Sequence, residues 1–355
     1  MEYNDNNYSN NEYNEYGKYS ELDVDAGIQE RTGSESRLIK KDLTAAGLFF
    51  FLLMIMELPV ALVINEVQSM FSVEKEILIS VLITQGYLLL AALIYLLIRG
   101  KSFTGDLHMR SYKLSSFFLS LLVLLCASPM ANCLNVISQF FTVNRTSEAI
   151  FDITESVPAW LALLIVGCLP GFIEETIYRG IMYSAFRRYS ILVGIVISSL
   201  SFGLMHLNFN QMIYAIYLGS IFAFLVEATG SLASSMILHM LFNVCNTIYL
   251  YLLPLLFSKI SELGIEDSSL NIEDLVSRTP TNAELMSALM FFAPLAVVGL
   301  ILTVLLISKI ADINARRVTW KSLCEKKDDL QKVKPVNIWL ILGWIFCIII
   351  SVGNL

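Results

Sequence analysis

Beyond residue 42 the chain alternates long apolar runs with short polar ones. A helix that crosses a bilayer needs about 20 mostly apolar residues. Such runs lie near 43–65, 77–98, 114–141, 157–187, 190–207, 211–227, 232–253, 285–308 and 337–354. The pattern predicts an all-α, polytopic membrane bundle of about nine transmembrane helices with a polar site inside it. The fourth run is too long for one upright span, and Pro170-Gly171 interrupts it. A proline in a membrane helix frees a backbone carbonyl and kinks the helix. A tilted or broken helix is expected there, its second half starting at Glu174.

Composition agrees with the pattern. Only 15% of the residues are charged and 56% are hydrophobic, against about a quarter charged in a soluble domain. The net charge of −7 conceals a segregation of sign. Arg31, Arg37, Lys40 and Lys41 precede the first run, and Arg99, Lys101, Arg110 and Lys113 fill the second loop. Arg187 and Arg188 follow the fourth run, and the loop before the last run is rich in lysine and arginine. With nine spans all of these fall on one side, which the positive-inside rule makes cytoplasmic. The reading is a multi-pass protein of the cell membrane with a cytoplasmic N-terminus, and no nucleic-acid partner is expected. Residues 1–42 form a polar tail with too little apolar content to fold, and no cleavable signal peptide is read in it. Residues 43–150 hold the N-terminal spans, 151–253 a central core, 254–284 an acidic extracytoplasmic loop, and 285–355 the C-terminal spans with their basic loop. The six cysteines show no zinc-binding spacing and read as small apolar filler.

Against this background Glu174 and Glu175 stand out, because ionisable groups inside a span are costly and usually serve a function. Arg179 follows Glu175 at the helical i,i+4 spacing, so these two are expected to pair and Glu174 to remain the free acid. Of only three histidines, His206 and His239 also fall in apolar runs. Asn243 follows His239 at i+4, on the same helix face. Counting helix rise brings Glu174 and His206 to similar depth on antiparallel neighbours. Peptide hydrolysis needs a base for the attacking water and donors for the oxyanion. Glu174 with His206 fits the first task, and His239 with Asn243 the second. Phe202 reads as packing. Glu227 reads as an interfacial acid of little cost. Glu57 has no assigned partner.

Three segments resemble the motifs of one family. Glu174-Glu175-Thr176-Ile177-Tyr178-Arg179 is similar to the EExxxR motif of the CAAX prenyl protease and bacteriocin-processing (CPBP, Abi) family of intramembrane endopeptidases. Phe202 to His206 resembles its FxxxH motif, and His239 to Asn243 its HxxxN motif. They occur in the family's order, and the resemblance covers roughly 155–250. It implies that Glu174 and His206 activate water, that His239 and Asn243 form the oxyanion site, and that Glu175 and Arg179 are structural. The implied substrate is a peptide or membrane protein within the lipid bilayer. Eukaryotic members cut prenylated C-termini, while bacterial relatives process or interact with peptides, and the tail and extra spans here fit a bacterial relative better. Glu174, His206 and His239 are also a plausible zinc ligand set. The favoured reading is without metal or other cofactor. Two other classes are compatible with buried Glu and His: a proton-coupled transporter and a non-catalytic membrane scaffold. A transporter more often shows inverted repeats, and none is found here.

Overall fold

A computed structural model of the chain describes residues 21–70, 76–262, 278–326 and 333–353. Among them there is no strand, as expected where backbone groups must be satisfied within each segment. The helices are α1 Glu21–Ile55, α2 Glu57–Gln68, α3 Glu76–Arg99, α4 Leu114–Ser138 and α5 Arg145–Ser156. A continuous helical run, α6, spans Ala159–Phe186. Then follow α7 Ile191–Leu204, α8 Phe209–Thr229, α9 Leu232–Glu262 and α10 Asn282–Ile313. The short α11 Trp320–Cys324 and α12 Ile338–Gly353 end the described chain.

Seven helical runs among the described residues are long and apolar enough to cross a membrane. The other two expected spans are helices too, but α7 has 14 residues and α12 has 16. At 1.5 Å per residue they reach about 21 and 24 Å, short of a hydrocarbon core of about 30 Å. Burial separates the centre of the bundle from its rim. Half of the most apolar window of α6 and 61% of that of α8 is buried, against 22–28% in the other five. The sequence between Thr176 and Tyr183 is wholly buried. Around this centre, α10 packs along α4, and α12 packs along α1 and touches α7. The C-terminal helices therefore clamp both flanks.

Several helices extend past the expected boundaries. Residues 21–42, expected as part of an unfolded tail, continue α1. Ile39 and Leu43 share its buried face, and Arg99 and Arg188 both hold Asp42, so the packed stripe starts before the apolar run. The rest of that tail, 1–20, lies outside the described residues. The expected loop 254–284 begins later, because α9 runs through Pro254 to Glu262. At its other end Thr281 and Glu284 close a reciprocal cap on α10, while 263–277 lie outside the described residues. The boundary drawn at 150 falls inside α5.

The expected break at Pro170 is absent. The α6 run is instead widened to π-helix over Leu163–Cys168 and Thr176–Tyr183. Proline lacks an N–H and its ring crowds the carbonyl four residues earlier. A wider turn just before it relieves that crowding without ending the helix.

Candidate active site

Gly167 and Gly171 lie one turn apart on α6 and press against α9. A Cβ on Gly171 would sit 2.8 Å from the Met240 nitrogen, and one on Gly167 2.6 Å from a Val244 methyl. Small residues at this spacing let two membrane helices approach closely. The contact brings His239 and Asn243 of α9 alongside Glu174 of α6. On the other side, α7 runs back from the turn at residues 187–190. His206 is not inside α7, as helix counting implied, but in the turn that joins it to α8. Leu207 in that turn adopts φ 50°, and Asn208 caps α8 by accepting from the Asn210 N–H.

These residues enclose a cavity of about 390 Å³, lined by Glu174, His206, His239 and Asn243, with Phe202 and Gln85 beside them. Glu174 is 6% exposed and His239 is 5% exposed. The His239 Nε2 stands 3.8 Å from the Glu174 carboxylate, and Gln85 of α3 turns its side chain to the same group. Glu57 does not line the cavity; it opens α2, half-buried, near Tyr87.

Beneath the cavity floor the expected pair is present: Arg179 Nη1 donates to Glu175 Oε1 over 2.6 Å, with both side chains fully buried. The guanidinium also lies 4.4 Å from the Phe202 ring centre and 5.3 Å from that of Phe222. Such face contacts stabilise a desolvated cation by about 2 kcal/mol or more. Glu175 has a second role that spacing did not reveal. Its Oε1 is 3.0 Å from His239 Nδ1, so a carboxylate orients the histidine ring. Phe202, read as packing, is a hub: its ring stands 5.2 Å from His206 and 5.6 Å from His239. Among the described residues, no group of three His, Cys, Asp or Glu side chains is placed to hold a metal ion.

Sequence reading missed two features. One is α5, which caps the cavity with Thr146, Ala149, Ile150 and Ile153. Its signal was available, because Ile150, Phe151, Ile153 and Thr154 recur at helical spacing and Asn144 precedes them as a cap. The Asn144 carboxamide accepts from the Ser147 N–H and donates to its hydroxyl, so Asn144 caps α5. The other is the saturation of Glu227, which sits in the last turn of α8 as expected but is only 5% exposed. It accepts from Tyr183 at 2.5 Å, from Arg187 at 2.9 Å and from Arg316 at 2.9 Å. Its partners are 40 to 90 residues away in sequence, beyond any local pattern.

The three motif segments thus meet at one cavity, and they lie in the part of the chain that resembles known proteins. Residues 156–245 match the family model of type II CAAX prenyl endopeptidases, Rce1-like. The matched segment runs from the end of α5 to the middle of α9 and holds all seven defining residues of the three motifs. The match covers about a quarter of the chain, and the seven long apolar helical runs make this a multi-pass membrane protein. No curated protein and no solved structure matches the chain.

Proposed function

We propose that the chain is an intramembrane endopeptidase in which Glu174 is the base, and that its substrate is a peptide or a peptide segment of a membrane protein. The observation that carries this is convergence: Glu174, His206, His239 and Asn243 come from three separate stretches and face one cavity. The carboxylate below it, Glu175, is neutralised by Arg179, which leaves Glu174 free to exchange protons.

In this reading a water held by Glu174 and His206 attacks the peptide carbonyl carbon. Glu174 takes its proton, a C–O bond forms, and negative charge develops on the carbonyl oxygen. His239, flanked by Glu174 and Glu175, donates to that oxygen from Nε2 in its protonated form, with Nδ1–H held by Glu175. The Asn243 amide is the second donor. Collapse breaks the C–N bond, and Glu174 returns its proton to the leaving amine. Preorganised donors of this kind each contribute about 10²–10³ in rate.

The same geometry supports one sidedness. The turn at 187–190 and the turn holding His206 lie at opposite ends of α7. Arg187, Arg188, Arg99 and Arg316 gather at the first end, while α5, Asn208 and Gln211 rim the cavity at the second. With basic loops cytoplasmic, the cavity is entered from outside. Its substrate is then a peptide presented on the outer face.

The test compares new peptide termini in membranes and medium from cells carrying wild-type or Glu174→Gln protein. Termini that depend on Glu174 and map to outward-facing segments are expected. Identical termini in both would overturn the peptidase. Glu174-dependent termini confined to cytoplasmic segments would overturn the sidedness alone.

A further inference from the structure

The basic end of the bundle holds a second cavity, of about 350 Å³, that has no part in the proposed hydrolysis. Lys101, His108, Arg187 and Arg188 line it together with Asp42 and Asp106. Cations outnumber acids here because the acids are shared. Asp42 is held by both Arg99 and Arg188, and Glu227 by both Arg187 and Arg316, while Lys101 reaches Asp106 over 3.2 Å. Arg110, 3.3 Å from the His108 ring, has no carboxylate partner among the described residues. Among the described residues, Arg99 keeps a buried Nε–H with no partner. Burial, and then Arg110, Arg187 and Arg316 around it, hold the His108 imidazole below its ordinary range, as a field of net positive sign does.

One wall of this cavity continues along the membrane face. Tyr95 lines both it and an apolar groove of about 610 Å³ between α1 and α3. The Asp42–Arg99 pair marks the junction, Asp42 on the basic side and Arg99 on the apolar side. Phe49, Leu52, Tyr87 and Ile94 form the groove walls. From Ala45 to Met56 it follows about 16 Å of helix, close to one leaflet of a hydrocarbon core about 30 Å thick. A bare apolar groove on a membrane protein takes any acyl chain. This one ends in a pocket where cations outnumber the carboxylates they share.

We infer that the pocket and groove together form a site for one anionic phospholipid, its phosphate among Lys101, Arg188 and His108 and one acyl chain between α1 and α3. The phosphate supplies the negative charge that the shared carboxylates leave lacking, and it accepts charge-assisted hydrogen bonds. A zwitterionic headgroup brings a cation into a pocket already in positive excess. Free phosphate fills the pocket and leaves the groove empty. The bound lipid ties α1 and α3 to the end of α6 that carries Arg187 and Arg188, remote from the cavity of Glu174.

The test uses full-length protein in detergent, titrated with phosphatidylglycerol, with phosphatidylcholine of the same acyl chains, or with inorganic phosphate, and reads the melting temperature and the lipid retained in native mass spectra. Phosphatidylglycerol should raise the melting temperature by several degrees and remain bound at one per chain, and the other two should not. Each cation near the headgroup layer is worth about fivefold in affinity, so Lys101→Gln with Arg188→Gln should weaken retention about thirtyfold. Ala91→Trp, which fills the groove without touching a charge, should weaken it as well. Equal effects of the two lipids, an equal effect of phosphate alone, or unchanged retention in Ala91→Trp would each overturn the site.

Discussion

Two buried glutamates of this chain, Glu174 and Glu227, are nearly equally hidden from solvent, at 6% and 5% exposure, and their surroundings could hardly differ more. Glu227 is saturated. A tyrosine and two arginines occupy its oxygens, and Arg316 also reaches its backbone carbonyl. Glu174 has Gln85 and a histidine nitrogen 3.8 Å away, and an open cavity in front of it. A carboxylate whose lone pairs are all taken joins elements together. One that keeps lone pairs free beside a void can trade a proton. The difference lies in the number of donors around each group, which burial alone does not report.

That contrast can be broken by substitution. The largest effect is expected at Glu174. Glu174→Gln should lower cleavage by purified protein about 10²–10⁴-fold, the usual cost of a lost general base, with little change in melting temperature. Near-normal cleavage would remove its assigned role. Next is Arg179, whose loss leaves Glu175 charged and buried without its partner. Arg179→Ala should cost about 3–5 kcal/mol of stability, read as lower membrane abundance and an earlier melt. A stable but inactive Arg179→Ala protein would move Arg179 into the chemistry. Glu227→Gln should do the reverse of Glu174→Gln. Its arginine partners are about a third exposed, at 30% and 34%, so water softens the loss to about 1–2 kcal/mol, while the cleavage rate of folded protein should hold. The smallest effect is expected from chelation. If base and oxyanion donors are all side chains, cleavage should survive a strong chelator unchanged. Loss of activity restored by one divalent metal would recast His206 and His239 as ligands.

The fold was legible wherever the apolar pattern is long. All nine expected runs are helical, because in lipid the length and polarity of a segment leave no other choice. The pattern could not give the reach of α7 and α12, which depends on what they pack against. At the site, the residue types and the i,i+4 spacings of Glu175 with Arg179 and His239 with Asn243 were readable, since both are local. The placement of His206 in a turn was not, because α7 stops at Leu204 and the turn that follows, with Leu207 at φ 50°, is set by backbone conformation and leaves no mark in composition. Nor was the bond from Glu175 to His239, which joins residues 64 apart. Pro170 differs for another reason: its sequence signal is a tilted or broken helix, the break is absent, and the widened turn that absorbs the proline depends on burial among neighbours.

The two widened stretches of α6 have a bearing on how the chain tolerates change. A π turn is a helix that has taken in one residue too many, and ordinary α geometry advances about 100° per residue. The stretch at Thr176–Tyr183 lies between Glu174, aimed at the cavity, and Arg187, aimed at Glu227. It therefore sets the rotational phase between chemistry and anchor. Inserting one more residue there would remove no functional group, yet a stretch that has already absorbed its extra residue would swing one end of α6 by a quarter turn or more relative to the other. Either the glutamate would leave the cavity or the arginine would leave its acid. In this helix the residue count is itself a functional quantity, as strict as the identity of any side chain it carries.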